Sequence, residues 1–307
     1  FGNGVISANG DTKRPLIYLM IAGVLNVVFN LFFVIICGMA EDGVALASII
    51  TQYISAFLIL LHLSKLNDDC SFCLKDLKNG IDRKERNRIL SLGIPAGFQN
   101  AIFAIANLFI QGAVNSFDSV MVEGNSAAAN ADTIIYNVMA AFYTACSSFM
   151  GQNLGAEKRD RVIKSYFIGI TYSFLTGALL GLALFLFGRE FLSFFTNEEA
   201  VISAGLQRTG IMCFSYAFSA FMDCTIAASR GIGKSLVPTI IVIMGSCVFR
   251  VVWIYTIFAH FHTIPSLYLL YIFSWLITAC AEIIYFAISY KKLNKVSPLS
   301  LYEREKF

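Results

Sequence analysis

The chain has 307 residues, 57% of them hydrophobic and only 14% charged, with a formal net charge of +3 and a mean hydropathy of +0.68. That composition excludes a soluble globular domain and marks a polytopic membrane protein. Repeated apolar stretches of about 20 residues favour helices over a barrel, whose segments would alternate over about 10 residues, and nothing in the sequence reads as a nucleic-acid binder.

The chain opens with Phe1 and a turn-rich segment, GNGVISANGDTKRP, without a signal-like region. It is expected to be a fragment lacking its true N-terminus. Eight spans follow, predicted at Pro15 to Cys37, Gly43 to Leu63, Leu92 to Asn115, Ala131 to Gln152, Val162 to Gly188, Leu206 to Ser229, Leu236 to Phe261 and Ser266 to Tyr290. Between the second and third lies a charged insert, Ser64 to Leu90, that could not sit in lipid. All but Arg189, Arg208 and Arg250 of the 23 basic residues fall before the first span, in the insert, in alternate later loops or in the tail. By the positive-inside rule both ends and the insert are cytoplasmic, and the protein is placed in the cell membrane.

The segment starting at Asn9 aligns without a gap on the one starting at Ile232, with Gly10 on Gly233 and Pro15 on Pro238. Each copy is a Gly turn, a basic residue, a Pro at a helix start, an outward span and a return span. The copies run in the same direction, so they are parallel repeats. The second closes a six-span unit. If the first closes an equal unit, four spans precede it and the complete protein has twelve. The predicted fold class is therefore an all-α polytopic membrane protein with eight transmembrane helices, the last two of a first six-helix lobe and a complete second lobe. The corresponding division is 1–63 for the end of the first lobe, 64–91 for a cytoplasmic linker, 92–292 for the second lobe and 293–307 for a cytoplasmic tail.

Polar groups inside the spans are the candidate site residues, because each buried charge costs about 2.5 to 3.5 kcal/mol on insertion scales. Asn26 and Asn30 share one face of the first span, and Ser48 adds a hydroxyl on the second. They read either as a polar site for a cation or substrate, or as interhelical hydrogen bonding. On the third span Asn100, Asn107, Gln111 and Asn115 form a stripe, answered on the fourth by Asn137, Thr144, Ser148 and Gln152. These stripes fit a water-filled pathway or interhelical contacts. Three charges count as buried, Asp223, Arg250 and Glu282. Counted from the cytoplasmic helix ends at about 1.5 Å per residue, they lie about 12, 18 and 13 Å deep and could meet. One base between two acids leaves an acid free for a proton or cation; the alternative is a structural ion triad.

The eight cysteines suggest no disulfide framework, since six lie in apolar runs. Cys70 and Cys73 have no second pair that would complete a zinc site, and no cofactor, metal or catalytic motif is found. The protein is read as not an enzyme.

The run SLGIPAGFQNAIFAIANLFIQGAVNSF followed by FMGQNLGAEKRDRVIK resembles the multidrug and toxic compound extrusion (MATE) family, as do GDTKRP at Gly10 and ASRGIGKS at Ala228. The resemblance spans nearly all of Gly10 to Lys292. It implies a twelve-helix, two-lobed fold and secondary active export of organic, often cationic, compounds in exchange for H⁺ or Na⁺, by rocking the lobes about a central cavity. The implied partners are the lipid bilayer and a small organic substrate, for a transporter that is monomeric when full length. Many members carry an acid where this chain has Asn30, one turn after an Asn matching Asn26, and some carry one on the helix beginning at Leu92, where this chain has Phe103 and its neighbours. The coupling charge is therefore expected in the second lobe, on Asp223, Arg250 and Glu282. The fragment alone is expected to be inactive. A lipid-linked oligosaccharide flippase of the same superfamily is the alternative and would call for a strongly cationic cavity, whereas only Arg250 counts as a buried base.

Overall fold

A computed structural model describes residues 2–66, 71 and 82–295, with side chains described as far as Leu293. Among them are eight helices long and apolar enough to cross a membrane: Lys13–Ile36, Glu41–Ser64, Arg83–Val114, Ser119–Gly155, Arg159–Leu186, Glu199–Gly231, Leu236–Phe261 and Ile264–Leu293. They are numbered first to eighth. The chain divides into two compact units, Phe1–Arg86 and Asn87–Phe307. The middle of the charged insert, with Cys70 and Cys73, and the tail from residue 296 lie outside the described residues.

The first unit corrects one expectation. Gly2–Ala8 is a helix rather than a run of turns, because Ile6 finds an apolar seat against Ile59 and Leu63. The chain then turns at Gly10, whose φ of +92° favours glycine. Asp11 Oδ1 accepts from the backbone N–H groups of Lys13 and Arg14, both at 3.1 Å, and so starts the first span. Pro15 sits in its first turn, where no intrahelical donor is lost. The second span packs on the first through Gly43, Ala47, Thr51, Ser55, Ile59 and Leu63, a buried ridge with four-residue spacing. The opposite faces remain apolar and exposed, as at Leu16, Met20, Val24 and Phe57, which suits contact with lipid.

The second unit is built round the sixth span, the most deeply buried of its helices. It packs against the fourth, fifth and eighth spans. Small residues permit the approach: a Cβ added at Gly181 would stand 2.0 Å from the Cys213 carbonyl oxygen, so only glycine lets the fifth and sixth backbones meet there. Four apolar clusters fill the unit among the described residues, one round Met139, Tyr216 and Trp275, one round Val114, Ile254 and Leu267, one round Met150, Cys224 and Phe286, and a smaller one of Ala127, Ala128, Leu192 and Ile202.

Several helices outrun the predicted spans. The fourth begins at Ser119 rather than Ala131, capped by Asp118, whose side chain accepts from Met121 N at 3.0 Å. The sixth begins at Glu199 rather than Leu206, and the third at Arg83 rather than Leu92, continuing through Pro95. A hydropathy window stops where polar side chains begin, while a helix continues until its backbone is capped.

The repeat holds in backbone detail. Gly10 and Gly233 both have positive φ. One separation relates Gly10 to Gly233, the helix starts at Lys13 and Leu236, the prolines Pro15 and Pro238, and the return helices starting at Glu41 and Ile264. The outward span of each copy carries a π-helical turn near its outer end, Phe32–Ile36 in the first and Ile254–Phe258 in the second. The second copy has a further π turn at Ile243–Val248.

Candidate functional site: a charged cavity within the second unit

The third span carries its amides on one face because Asn100, Asn107 and Gln111 stand seven and then four residues apart. That face lines a cavity of about 700 Å³ within the second unit. Its other walls carry charge: Asp132 on the fourth span, Arg208, Asp223 and Arg230 on the sixth, and Arg250 on the seventh. Aromatic rings complete the lining, among them Phe103, Tyr136, Tyr271 and Trp275.

In one part of the cavity wall Arg208 and Asp132 form a two-pronged ion pair, one prong spanning 3.3 Å from Nη1 to Oδ1 and the other joining Nη2 to Oδ2. Arg208 is 4% exposed. The Tyr216 hydroxyl also donates to Asp132 Oδ1. The Arg208 guanidinium lies over the Tyr268 ring, 5.4 Å from its centroid, and the Tyr268 hydroxyl donates to Asn125 Oδ1 at 2.8 Å. Lower on the sixth span, Arg230 Nη2 donates to Gln99 Oε1 at 2.9 Å.

Arg250 is held differently. Its Nε donates to Ser274 Oγ at 3.1 Å, and its guanidinium carbon lies 4.6 Å from the Tyr271 ring centroid, 5.6 Å from that of Phe103 and 5.7 Å from that of Trp275. Rings within about 6 Å stabilise a buried cation without neutralising it. Asp223 opens on the same cavity, half-buried, and makes no ion pair or hydrogen bond among the described residues.

The expected triad does not form. Among the described residues no ion pair joins Asp223, Arg250 and Glu282, because rings and a hydroxyl surround the guanidinium where the acids were expected. Glu282 does not line the cavity; it is fully buried, and neither carboxylate oxygen has a hydrogen-bond partner. Arg250 is also not the sole buried base, since Arg208 is buried with Asp132 beside it. Sequence reasoning passed over this pair because the predicted spans started too late and left both residues at helix ends. Counted from the observed starts at Ser119 and Glu199, they lie about 20 and 14 Å along their helices.

The stripe on the fourth span is displaced. Asn137 is exposed and Gln152 half-buried, and neither lines the cavity; the neighbouring face, with Asn125, Asp132 and Tyr136, does so instead. In the first unit, Asn26 Nδ2 donates to Thr51 Oγ1 at 3.2 Å and to Ser48 Oγ at 3.5 Å, and Asn30 Nδ2 donates to Asn26 Oδ1 at 3.0 Å. Asn26 and Ser48 line a smaller cleft of about 500 Å³. The repeat's separation relates Thr51 to Ser274, so the hydroxyl that receives Asn26 in one copy stands where the hydroxyl that receives Arg250 stands in the other.

The MatE family model matches residues 95–256. The chain is 28% identical over 218 residues to probable multidrug resistance protein YpnP of Bacillus subtilis, which covers 71% of this chain and 48% of that protein. To probable multidrug resistance protein YoeA of the same organism it is 24% identical over 245 residues, covering 77% of this chain and 52% of that one. The chain thus spans about half the length of the curated relatives it matches. A crystal structure of a MATE protein in complex with MaL6 superposes with a TM-score of 0.88 at 20% identity, covering 96% of this chain and 66% of that one, which establishes the shared fold. From the stripe on the third span to Arg250, the matched segment carries most of the cavity's lining, and the chain belongs to the MatE family.

Proposed function

We propose that the chain is part of a secondary transporter in the cell membrane, monomeric when complete, that exports organic compounds by alternating access in exchange for H⁺ or Na⁺. The observation that carries this reading is the cavity in the second unit, which places amides, charges and aromatic rings together among helices of membrane-spanning length. Such a chamber holds amphipathic organic molecules, with the rings taking their flat apolar parts and Asp223 taking a cationic group. Asp223 and Glu282 are the proposed coupling acids, because neither has an ion-pair partner among the described residues and such a carboxylate is a natural binder of a proton or cation. A flippase for lipid-linked oligosaccharides would call for a strongly cationic chamber. Here Asp132 offsets Arg208 and Asp223 adds a second negative charge, which favours the exporter.

The test is flux of organic cations into proteoliposomes holding the full-length protein, under a Na⁺ gradient or a pH gradient. Flux driven by one of the two supports exchange; flux indifferent to both removes it. Normal coupling in both Asp223→Asn and Glu282→Gln would remove the coupling assignment.

A further inference from the structure

Three sulfur atoms gather outside the charged cavity. Cys146 and Met150 stand four residues apart on the fourth span and so share a face, which brings Cys146 Sγ to 3.7 Å from Met150 Sδ. Cys224 reaches the same place from the sixth span. Both thiols border the space in front of Gly169 on the fifth span, where an added Cβ would stand 2.8 Å from Cys146 Sγ, 3.4 Å from Cys224 Sγ and 2.6 Å from Cys146 Cβ. A methyl carbon cannot come so close, whereas a metal bound to thiolate stands closer still, at about 2.3 Å in zinc sites. Cys146, Met150 and Cys224 are buried among Val162, Tyr166, Ile170 and Phe286, and none of the three lines the cavity. Counted from the helix ends at Gly155 and Gly231, Met150 lies about 8 Å in, Cys224 about 10 Å and Cys146 about 14 Å, so the thioether is the first sulfur met from that side.

We propose that Cys146, Cys224 and Met150 form a buried site for one Cu(I) ion, which braces the fourth span to the sixth. Thiol and thioether sulfur are soft ligands, the kind that select monovalent copper. Zinc asks for four ligands drawn from Cys, His and carboxylates, and among the described residues no three His, Cys, Asp or Glu side chains gather to supply them. On binding, one thiol's S–H bond breaks, a Cu–S bond forms in its place, and the proton leaves to water without any change of oxidation state. The other two sulfurs donate lone pairs. One positive charge enters as another leaves, so the apolar surroundings gain no net charge to bury.

The test uses the full-length protein in detergent with every cysteine except Cys146 and Cys224 replaced by alanine, so that Cys70 and Cys73 cannot take the ion. It is loaded with Cu(I) in anaerobic ascorbate and challenged with the chelator bathocuproine disulfonate. This parent protein is expected to retain one Cu(I) per molecule, with an X-ray absorption spectrum showing sulfur ligands only, and to unfold at a higher temperature with copper than without it. Cys146→Ala or Cys224→Ala removes both the retained copper and the thermal shift, and its metal-free unfolding transition shows that the variant is folded. Met150→Leu, which keeps the volume and loses the thioether, gives up the ion at a lower chelator concentration. The proposal is overturned if the parent protein retains no copper, if retention survives Cys224→Ala, or if the parent holds zinc in preference to copper.

Discussion

Arg208 and Asp132 illustrate how a membrane protein retains charge inside a helix bundle. Each charge alone would be costly in the apolar interior, and together they form a two-pronged pair further satisfied by Tyr216. Removing one partner leaves the other buried and unpaired. Arg208→Leu is therefore expected to lower stability by about 3 kcal/mol, and Asp132→Leu in the same molecule to recover part of that loss, as measured by a double-mutant cycle on thermal unfolding in detergent. Additive losses would show that the pair contributes nothing. Glu282 is the opposite case, a carboxyl group with no partner for either oxygen. Glu282→Met is expected to stabilise the protein by about 1 to 2 kcal/mol and to weaken ion-driven flux, the pattern of a residue kept for function at a cost in stability. A destabilised variant with normal flux would assign Glu282 a structural role. The amides at Asn100, Asn107 and Gln111 were readable because their spacing alone puts them on one helical face. Asp132 and Arg208 were not, because depth in a bundle depends on where the helices begin, and hydropathy does not locate a cap.

At the scale of the helix, the sixth span depends on close contact more than on apolar bulk. Gly181 is the tightest point, with no room for a Cβ against the Cys213 carbonyl. Gly181→Ala is expected to cost about 1 to 3 kcal/mol, because the fifth and sixth spans must separate to admit the methyl group. Gly210→Ala, where nothing lies within 4 Å of an added Cβ, is expected to be neutral or slightly stabilising through helix propensity. Thermal unfolding of the two variants side by side checks this, and equal effects would refute the packing account. The existence and order of the spans could be read from apolar length, and the repeat from a Gly and a Pro in matching places. The helical extensions at Ser119–Asn130 could not, since they are held by the Asp118 cap rather than by hydropathy.

At the scale of the whole molecule, the distribution of basic residues predicts a topology that the fold itself does not test. With Lys158 placed inside and Glu198 outside, a membrane-impermeant maleimide applied to intact cells is expected to label Glu198→Cys and leave Lys158→Cys unlabelled in a cysteine-free background. The reverse pattern would invert the assignment. The division between the two units falls between Arg86 and Asn87, at the end of the charged insert that the sequence marks by composition alone. What composition did not give was the character of the chamber. The sequence reading counts one arginine between two acids as buried, whereas three arginines and two aspartates line the cavity.

The π-helical turns near the outer end of each outward span mark places where those helices can bend, since kinks gather at such turns. A π turn arises when a helix accommodates one extra residue without giving up its ends. The turns at Phe32–Ile36 and Ile254–Phe258 occupy equivalent places to within one residue, so the correspondence between the copies extends to this irregularity. The turn at Ile243–Val248 has no counterpart in the first copy. It lies on the helix that carries Arg250 and just before it, so a bend at that point would shift the arginine relative to the rest of the cavity wall.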